Sequence, residues 1–589
     1  MKIKLISILA VFAIMVAFTA CEEKDFGLSE PENELSIDLK AWKPNSKVVM
    51  RVIANGATLH GANGIRFGPD GNLFIASVAG REIIVMNPQN GKIIKRMGPA
   101  ADVEGPDDLV FGPDGSLYWT EIMIGNVGRM TPEGVVSKQF VAPGVNPITF
   151  SPDGRLFVGL CFMGDGLYEL DPNLIAPPRP IIEASPENPY PLGFLNAFDF
   201  GPDGRLYGPL FAGSIIISVN VGEPGDPPSA NPWMDGTIQV VSTGFKWPAA
   251  TRFGPDGALY VVDQTGEVFS VNHMTGDKTV IATLQDGLDN LAFDSDGRMY
   301  ISNADHGWIV QMLPSGQART ISPGGMINAQ GVAVMQGADG KDEVFIADLF
   351  RLRSFNGLTG KTGVNYKGHL VPNPDTPFLT MPMTVSDDGG NLIISSWFGS
   401  AVQVWNPESD QVLEHYPMPV PVNAIRFMDD IVVADLGLGG VVWASDYTMI
   451  LPMDGENVFL PAGLLTNGEI LWVADWATGI LWQICFEGKT PLPPVPIAFG
   501  LANPEGMAMD IDGSLLVMEA GAGRISRIDP ATGAASVVVD GLTPGMQGPE
   551  GFPPTWGFDG LAVGPSGAIY FTDNANSALY RIWPRVDLP

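Results

Sequence analysis

The chain has 589 residues, 45% of them hydrophobic and 17% charged, with 71 glycines and 51 prolines. That apolar content is ample for a large core, excludes a disordered or collagen-like chain, and at this length predicts at least two domains. Against 65 Asp and Glu stand 33 Lys and Arg, a formal charge of −32, which repels a phosphate backbone, argues against nucleic acid as a partner and attracts cations.

Met1 to Ala20 has the anatomy of a secretory signal: Lys2 and Lys4, an apolar run from Leu5 to Phe18, then Thr19 and Ala20 before Cys21. It looks like a bacterial lipoprotein signal, so residues 1–20 are expected to be removed and Cys21 to be the lipidated new N-terminus. Residues 21–45 are acidic, lack strand periodicity and read as a tether. No later stretch is long and apolar enough to span a bilayer, so the membrane is reached only through the lipid, at the bacterial cell envelope, on its periplasmic or outer surface. Cys161 and Cys485 sit far apart in apolar strand-like runs and are expected to be buried free thiols.

From Asn63 onward one phrase recurs: NGIRFGPDGNLFIAS, then DDLVFGPDGSLYWTE from Asp107, NPITFSPDGRLFVGL from Asn146, NAFDFGPDGRLYGPL from Asn196, AATRFGPDGALYVVD from Ala249 and DNLAFDSDGRMYISN from Asp289. Weaker copies begin at Gln330, Met381, Asn423, Glu505 and Asp559, and a poorly formed one near Pro461. Their spacing of 38 to 54 residues is that of a propeller blade. Each copy reads as strand, tight turn, strand: proline presets φ, aspartate bonds its own backbone and glycine takes the positive φ of the hairpin. Further short strands follow, giving four per repeat.

Twelve blades exceed the usual four to eight of one ring. The fold class expected is therefore all-β, with two tandem six-bladed β-propellers over residues 46–315 and 316–589 behind the signal and tether. The last copy has only about three strands, so one early strand must close each ring. The economical arrangement gives 47–53 to the blade from Asp289 and 318–322 to the blade from Asp559; the alternative, 47–53 closing the final blade, interlocks the rings.

In a propeller the first residues of successive copies surround one channel mouth. In the first ring these are Asn63, Asp107, Asn146, Asn196, Ala249 and Asp289, with Asn290 beside the last. Five of the six carry amide or carboxylate oxygens, a donor set that suits Ca²⁺ or another divalent cation. In the second ring Asn423, Glu505 and Asp559 form a possible second metal site, beside Gln330, Met381 and Pro461. Acidic or amide residues also end the second strands, at Glu121, Asp263, Asn303, Asp348, Asp435, Asp475, Glu519 and Asp573, where turn capping is expected.

The phrases EGPDDLVFGPDGSLYWTE, NGIRFGPDG and FDGLAVGPSGAIYFTD resemble the senescence-marker-protein/gluconolactonase (regucalcin-like) superfamily, with strictosidine-synthase-like and paraoxonase-like relatives. The resemblance implies six-bladed propellers in which a divalent cation, often Ca²⁺, is held in the channel by Glu, Asn and Asp and lactones are hydrolysed. It carries over to Asn63-Gly64, Asp559-Gly560, the pair Asp289-Asn290, and Glu104 before Gly105-Pro106. NHL-type propellers share the PDG turns, and two fused rings depart from the single-ring pattern.

The function expected is a lipid-anchored, calcium-dependent hydrolase of lactones or related cyclic esters, monomeric, taking a small lactone or sugar-like ligand. The cation would polarise the carbonyl while Asp107, His60 or His306 takes the proton of the attacking water. No GxSxG elbow, HExxH, CxxC pair or phosphate loop occurs. The alternatives are a non-catalytic NHL-type propeller holding a sugar, peptide or protein partner through Trp119, Trp247, Trp397, Trp476 and Trp556, and a metal-dependent lyase on the same scaffold.

Overall fold

The PDG phrase folds as its chemistry dictates. In the first copy Gly71 sits at φ +75°, its N–H returns to the Gly68 carbonyl at 2.9 Å, and Asp70 accepts the Asn72 N–H at 3.0 Å. The two flanking runs pair as antiparallel strands, Ile65–Phe67 with Leu73–Ser77. The same unit recurs along the computed structural model of the protein, which describes residues 48–370, 378–543, 545–546, 548, 554 and 557–584. The signal, the tether, Cys21 and Trp556 lie outside the described residues.

Twelve four-stranded antiparallel sheets follow one another, and the only helical elements among the described residues are two short 3-10 turns. No helix among them is long and apolar enough to cross a membrane. The protein is all-β, two tandem six-bladed propellers, and the chain divides into two compact units.

The first unit, Ala57–Ile327, holds six sheets of four consecutive strands each. Its ring closes by packing: strand Ile65–Phe67 lies against strand Leu288–Phe293 of the sixth blade. Ser302 Oγ donates to the Asn63 carbonyl at 2.7 Å, and Arg319 Nη1 to the Gln89 carbonyl at 2.9 Å.

The second unit takes Asn328 onward together with strand Val48–Ala54. That strand pairs with Ala578–Pro584 and completes the final blade, with Met50 opposite Ile582 and Val52 opposite Tyr580. This corrects the strand exchange expected from economy: Ala318–Ser322 is the outer strand of the first ring's own sixth blade, not of the last. With this pairing each of the twelve blades has four strands. Residues 46–315 therefore do not delimit the first ring, which begins after the lacing strand and runs past Ser322.

The weakly marked copy near Pro461 is a full blade: Pro461–Thr466, Leu471–Asp475, Leu481–Ile484 and Val495–Ala498. A small hairpin, Phe486–Glu487 with Thr490–Pro491, is inserted before its outer strand. Cys485 sits at the root of that hairpin and is exposed, whereas Cys161 is buried; both are free thiols.

The core is a series of layers between neighbouring sheets, each filled from both faces. Ile83, Val85, Leu109 and Trp119 fill the layer between the first and second blades, and Phe157, Leu167, Leu206 and Ile217 that between the third and fourth. Trp119 is wholly buried here, so it lines no pocket. Its ring lies over Gly128 of the next strand, where a Cβ would meet the indole at 2.2 Å.

Candidate functional site: two channel mouths

A recurring latch builds each mouth. The residue ending the second strand of a blade is buried, and its carboxylate accepts backbone N–H groups from the segment that enters the blade. Asp263 takes Lys246 N at 2.9 Å and Trp247 N at 3.0 Å; Asp475 takes Phe459 N and Leu460 N at 2.7 Å. Glu121 takes Glu104 N at 2.9 Å, Asp348 takes Asn328 N at 2.7 Å, Asp435 takes Val420 N, and Glu519 takes Ala502 N at 2.8 Å. These side chains are all wholly buried and serve as the expected caps, satisfying donors that the channel walls would otherwise strand.

In the first ring the amide oxygens are engaged within the protein. Asn63 Oδ1 accepts the Val78 N–H at 3.2 Å. Asn146 Nδ2 donates to Asn196 Oδ1 at 3.2 Å, and that same oxygen accepts Ala197 N at 3.0 Å. Asn290 turns into its own blade, accepting Leu291 N at 2.9 Å. Asp107 and Asp289 remain part-exposed. Burial, then the charge of Asp108, raises the Asp107 carboxyl to about 7. Burial, then the charges of Asp107 and Asp165, pushes the Cys161 thiol well above its ordinary value.

His60 and His306 belong to the ring closure. His60 Nδ1 is 2.8 Å from the Ile327 carbonyl, and buried His306 donates its backbone N–H to Asn303 Oδ1 at 2.8 Å. Glu104 is paired with Arg81 at 2.6 Å.

Deeper in this channel lies a belt that the repeat phrase hid, because the fourth residue of each copy carries no common type. Arg66, Asp199 and Arg252 occupy that place in three blades, with Arg252 Nη1 3.6 Å from Asp199 Oδ1. Burial raises the Asp199 carboxyl to about 6, against the opposing pull of Arg66.

The second ring differs. Glu505 and Asp559 open adjacent blades, and both are buried, at 2% and 3% exposure. Glu505 Oε2 accepts the Asp559 N–H at 2.6 Å and Oε1 accepts Trp476 Nε1 at 3.2 Å. Asp559 Oδ1 accepts Asn574 N at 2.8 Å. Burial raises Glu505 to about 8, and burial, Glu505 and Asp573 raise Asp559 well above the carboxylate range. Two carboxyls crowded in low dielectric cannot both ionise without a positive partner.

Two amides flank this pair. Asn423 Nδ2 donates to the Ala462 carbonyl at 2.9 Å. Gln330 is fully buried against Gly557, its Nε2 given to Asn328 Oδ1 at 2.6 Å, while its Oε1 finds no donor among the described residues. Below them is a cavity of about 370 Å³ lined by Glu505, Asp559 and Asn423 and by apolar side chains such as Val332, Ile425, Leu464 and Leu561. Sequence spacing marked Glu505 and Asp559 but not this contrast between the rings, which is one of burial: the carboxyls of the second mouth are buried on adjacent blades, whereas Asp107 and Asp289 in the first are part-exposed.

The donor set is all oxygen and contains an orphaned acceptor, so it fits a hard divalent cation. Among the described residues no three His, Cys, Asp or Glu side chains come together as a metal-holding group, so a cation in either mouth depends on amide oxygens.

This is a tandem propeller with one carboxylate pair at the second channel mouth. No family model matches the sequence, and no curated protein does. Among solved structures, a streptogramin B lyase is 14% identical over 51% of this chain and 94% of its own, with a TM-score of 0.34. A gluconolactonase from Xanthomonas campestris is 15% identical over 44% of this chain and 87% of its own, at 0.34. The extracellular domain of a candidate one-component system from B. thetaiotaomicron is 12% identical over 90% of this chain and 82% of its own, at 0.31.

Proposed function

We propose that the protein is an extracytoplasmic, lipid-anchored hydrolase of lactones or related cyclic esters, working with a bound divalent cation, Ca²⁺ by its donor chemistry, at the mouth of the second propeller. The observation that carries this reading is the pair Glu505 and Asp559: two buried carboxyls on adjacent blades, joined through the Asp559 N–H, with the Gln330 oxygen, unmatched among the described residues, beside Gly557. The first mouth, whose carboxyls Asp107 and Asp289 are part-exposed and not paired on adjacent blades, supports the same chemistry less well.

Gln330, Asn423, Glu505 and Asp559 would hold the cation, which when bound supplies Lewis-acid polarisation of an ester carbonyl. The chain's own residues do the rest. Water adds to the acyl carbon and loses a proton to a carboxylate oxygen of the Glu505–Asp559 pair. The ring C–O bond breaks, and the leaving alkoxide takes that proton back, giving the open hydroxy acid. Apolar side chains of the cavity wall, Val332, Ile425, Leu464 and Leu561, receive the carbon skeleton.

The test is lactone turnover with and without chelator. Chelation should abolish it, and Glu505→Gln and Asp559→Asn should each cost at least about a hundredfold in kcat/KM, whereas Asp107→Asn and Asp289→Asn should leave it within about threefold. A cation-independent rate, or loss confined to the first-ring variants, would overturn the assignment.

A further inference from the structure

We propose that the first propeller carries a separate binding site for a saccharide, built from an aromatic shelf on one side of its mouth and carboxylate acceptors on the other. This proposal is independent of the hydrolase reading, which concerns the second propeller.

The shelf comes from three consecutive blades. Phe162 follows the second strand of the third blade, Phe194 enters the fourth, Phe211 follows its second strand, and Trp247 enters the fifth. Their rings form a continuous chain: Phe162 to Phe194 at 5.7 Å, Phe162 to Phe211 at 5.3 Å, Phe211 to Trp247 at 5.8 Å, with Tyr190 5.6 Å from Phe194. Phe211 is the buried base; the other four are part-exposed.

Packing alone does not explain how this shelf is held. Phe162 has φ +62° at the centre of a three-residue turn closed by Met163 N to the Cys161 carbonyl at 2.7 Å. Phe194 has φ +69°. A bulky residue in that region costs on the order of 1–3 kcal/mol, so each ring's position is fixed by the contacts that hold its backbone there. The strain at Phe194 is maintained by buried Asp165, which accepts Leu192 N at 2.6 Å, Gly193 N at 3.0 Å and Phe194 N at 3.1 Å. Phe211 N then ties to the Phe194 carbonyl at 3.2 Å. A rigid set of part-exposed rings, fixed by a buried carboxylate, is preorganised for a flat apolar face.

Across from it stand the acceptors. Phe194 lies two residues before Asn196 and Trp247 two before Ala249, so the shelf adjoins the ring of mouth residues. Asp107 and Asp289 open the second and sixth blades, on the side of the ring away from blades three to five, and both are part-exposed. A sugar ring presents C–H groups on one face and hydroxyl donors along its edge. The shelf matches the first and the two carboxylates match the second.

The experiment is calorimetric titration of the full mature chain with a panel of gluco-, galacto-, manno- and xylo-configured oligosaccharides, and with choline as the cationic probe. At least one oligosaccharide should bind with a Kd below about 1 mM. Phe194→Ala, Tyr190→Ala and Asp107→Asn should each weaken it about tenfold or more, while Glu505→Gln leaves it unchanged. Tyr190→Ala guards against misfolding, because that ring is at the part-exposed end of the chain of aromatics. Binding of no oligosaccharide, binding of choline alone, or saccharide binding insensitive to Tyr190→Ala would overturn the proposal.

Discussion

At the level of single residues, the molecule's chemistry is set by which polar atoms the backbone leaves unclaimed. Asp475 spends its carboxylate on Phe459, Leu460, Ala477 and Thr478 N–H groups and has nothing over for a ligand. Asp475→Ala should therefore destabilise the second propeller by about 2–4 kcal/mol, read by urea denaturation, because buried donors lose their acceptor. Asp199 shows the opposite balance. Its folded pKa of about 6 lies above the ordinary 3.8, so the folded state holds the proton more tightly. The stability this contributes is complete below about pH 3.8 and is lost as pH rises through about 6. Asp199→Asn should accordingly gain on the parent between pH 4 and pH 7, by on the order of 2 kcal/mol, and thermal melts across that range measure it.

The repeating element shows what sequence reading can reach. The PDG turn was legible because Asp70 and Gly71 perform fixed backbone tasks, and the blade count followed from it. The strand partners were not: Val48–Ala54 and Ala318–Ser322 are both short strands, and nothing in their residues says which blade each completes. That choice is made by Met50 and Val52 packing with the Ile582 and Phe571 cluster. Removing the chain through Ala54 should therefore lower only one of two calorimetric transitions, that of the second propeller, whose last blade keeps three strands. The exposure of Cys485 was equally hidden, since the hairpin after it interrupts an otherwise ordinary blade. The mouth residues were legible as a set because they share a register; their inequality was not, because Asn63, Asn146 and Asn196 are occupied by partners distant in sequence.

For the whole molecule, the strand pairing makes the first propeller an insertion. The chain contributes one strand to the second ring, builds all six blades of the first, and returns at Asn328. Every sheet of the inserted unit is contiguous in sequence, and its ring closes through its own residues, Ser302 with Asn63 and Arg319 with Gln89. Residues 57–327 expressed alone should therefore fold cooperatively, with a melting temperature matching one transition of the full chain. The formal charge is −32, and the two mouths differ in make-up: the second carries a carboxylate pair at a cavity of mixed polar and apolar lining, the first an aromatic shelf.

The central claim is that the second mouth is electrostatically incomplete until a divalent cation enters it. Titrating the chelator-treated protein with Ca²⁺ in a calorimeter, in buffers of different ionisation enthalpy at pH 7, tests this directly. The account predicts one site that releases protons on binding and raises the melting temperature, as linkage requires, and that disappears in Glu505→Gln and Asp559→Asn. A protein that neither binds the ion nor gains stability from it, or that binds it unchanged in both variants, would contradict the account.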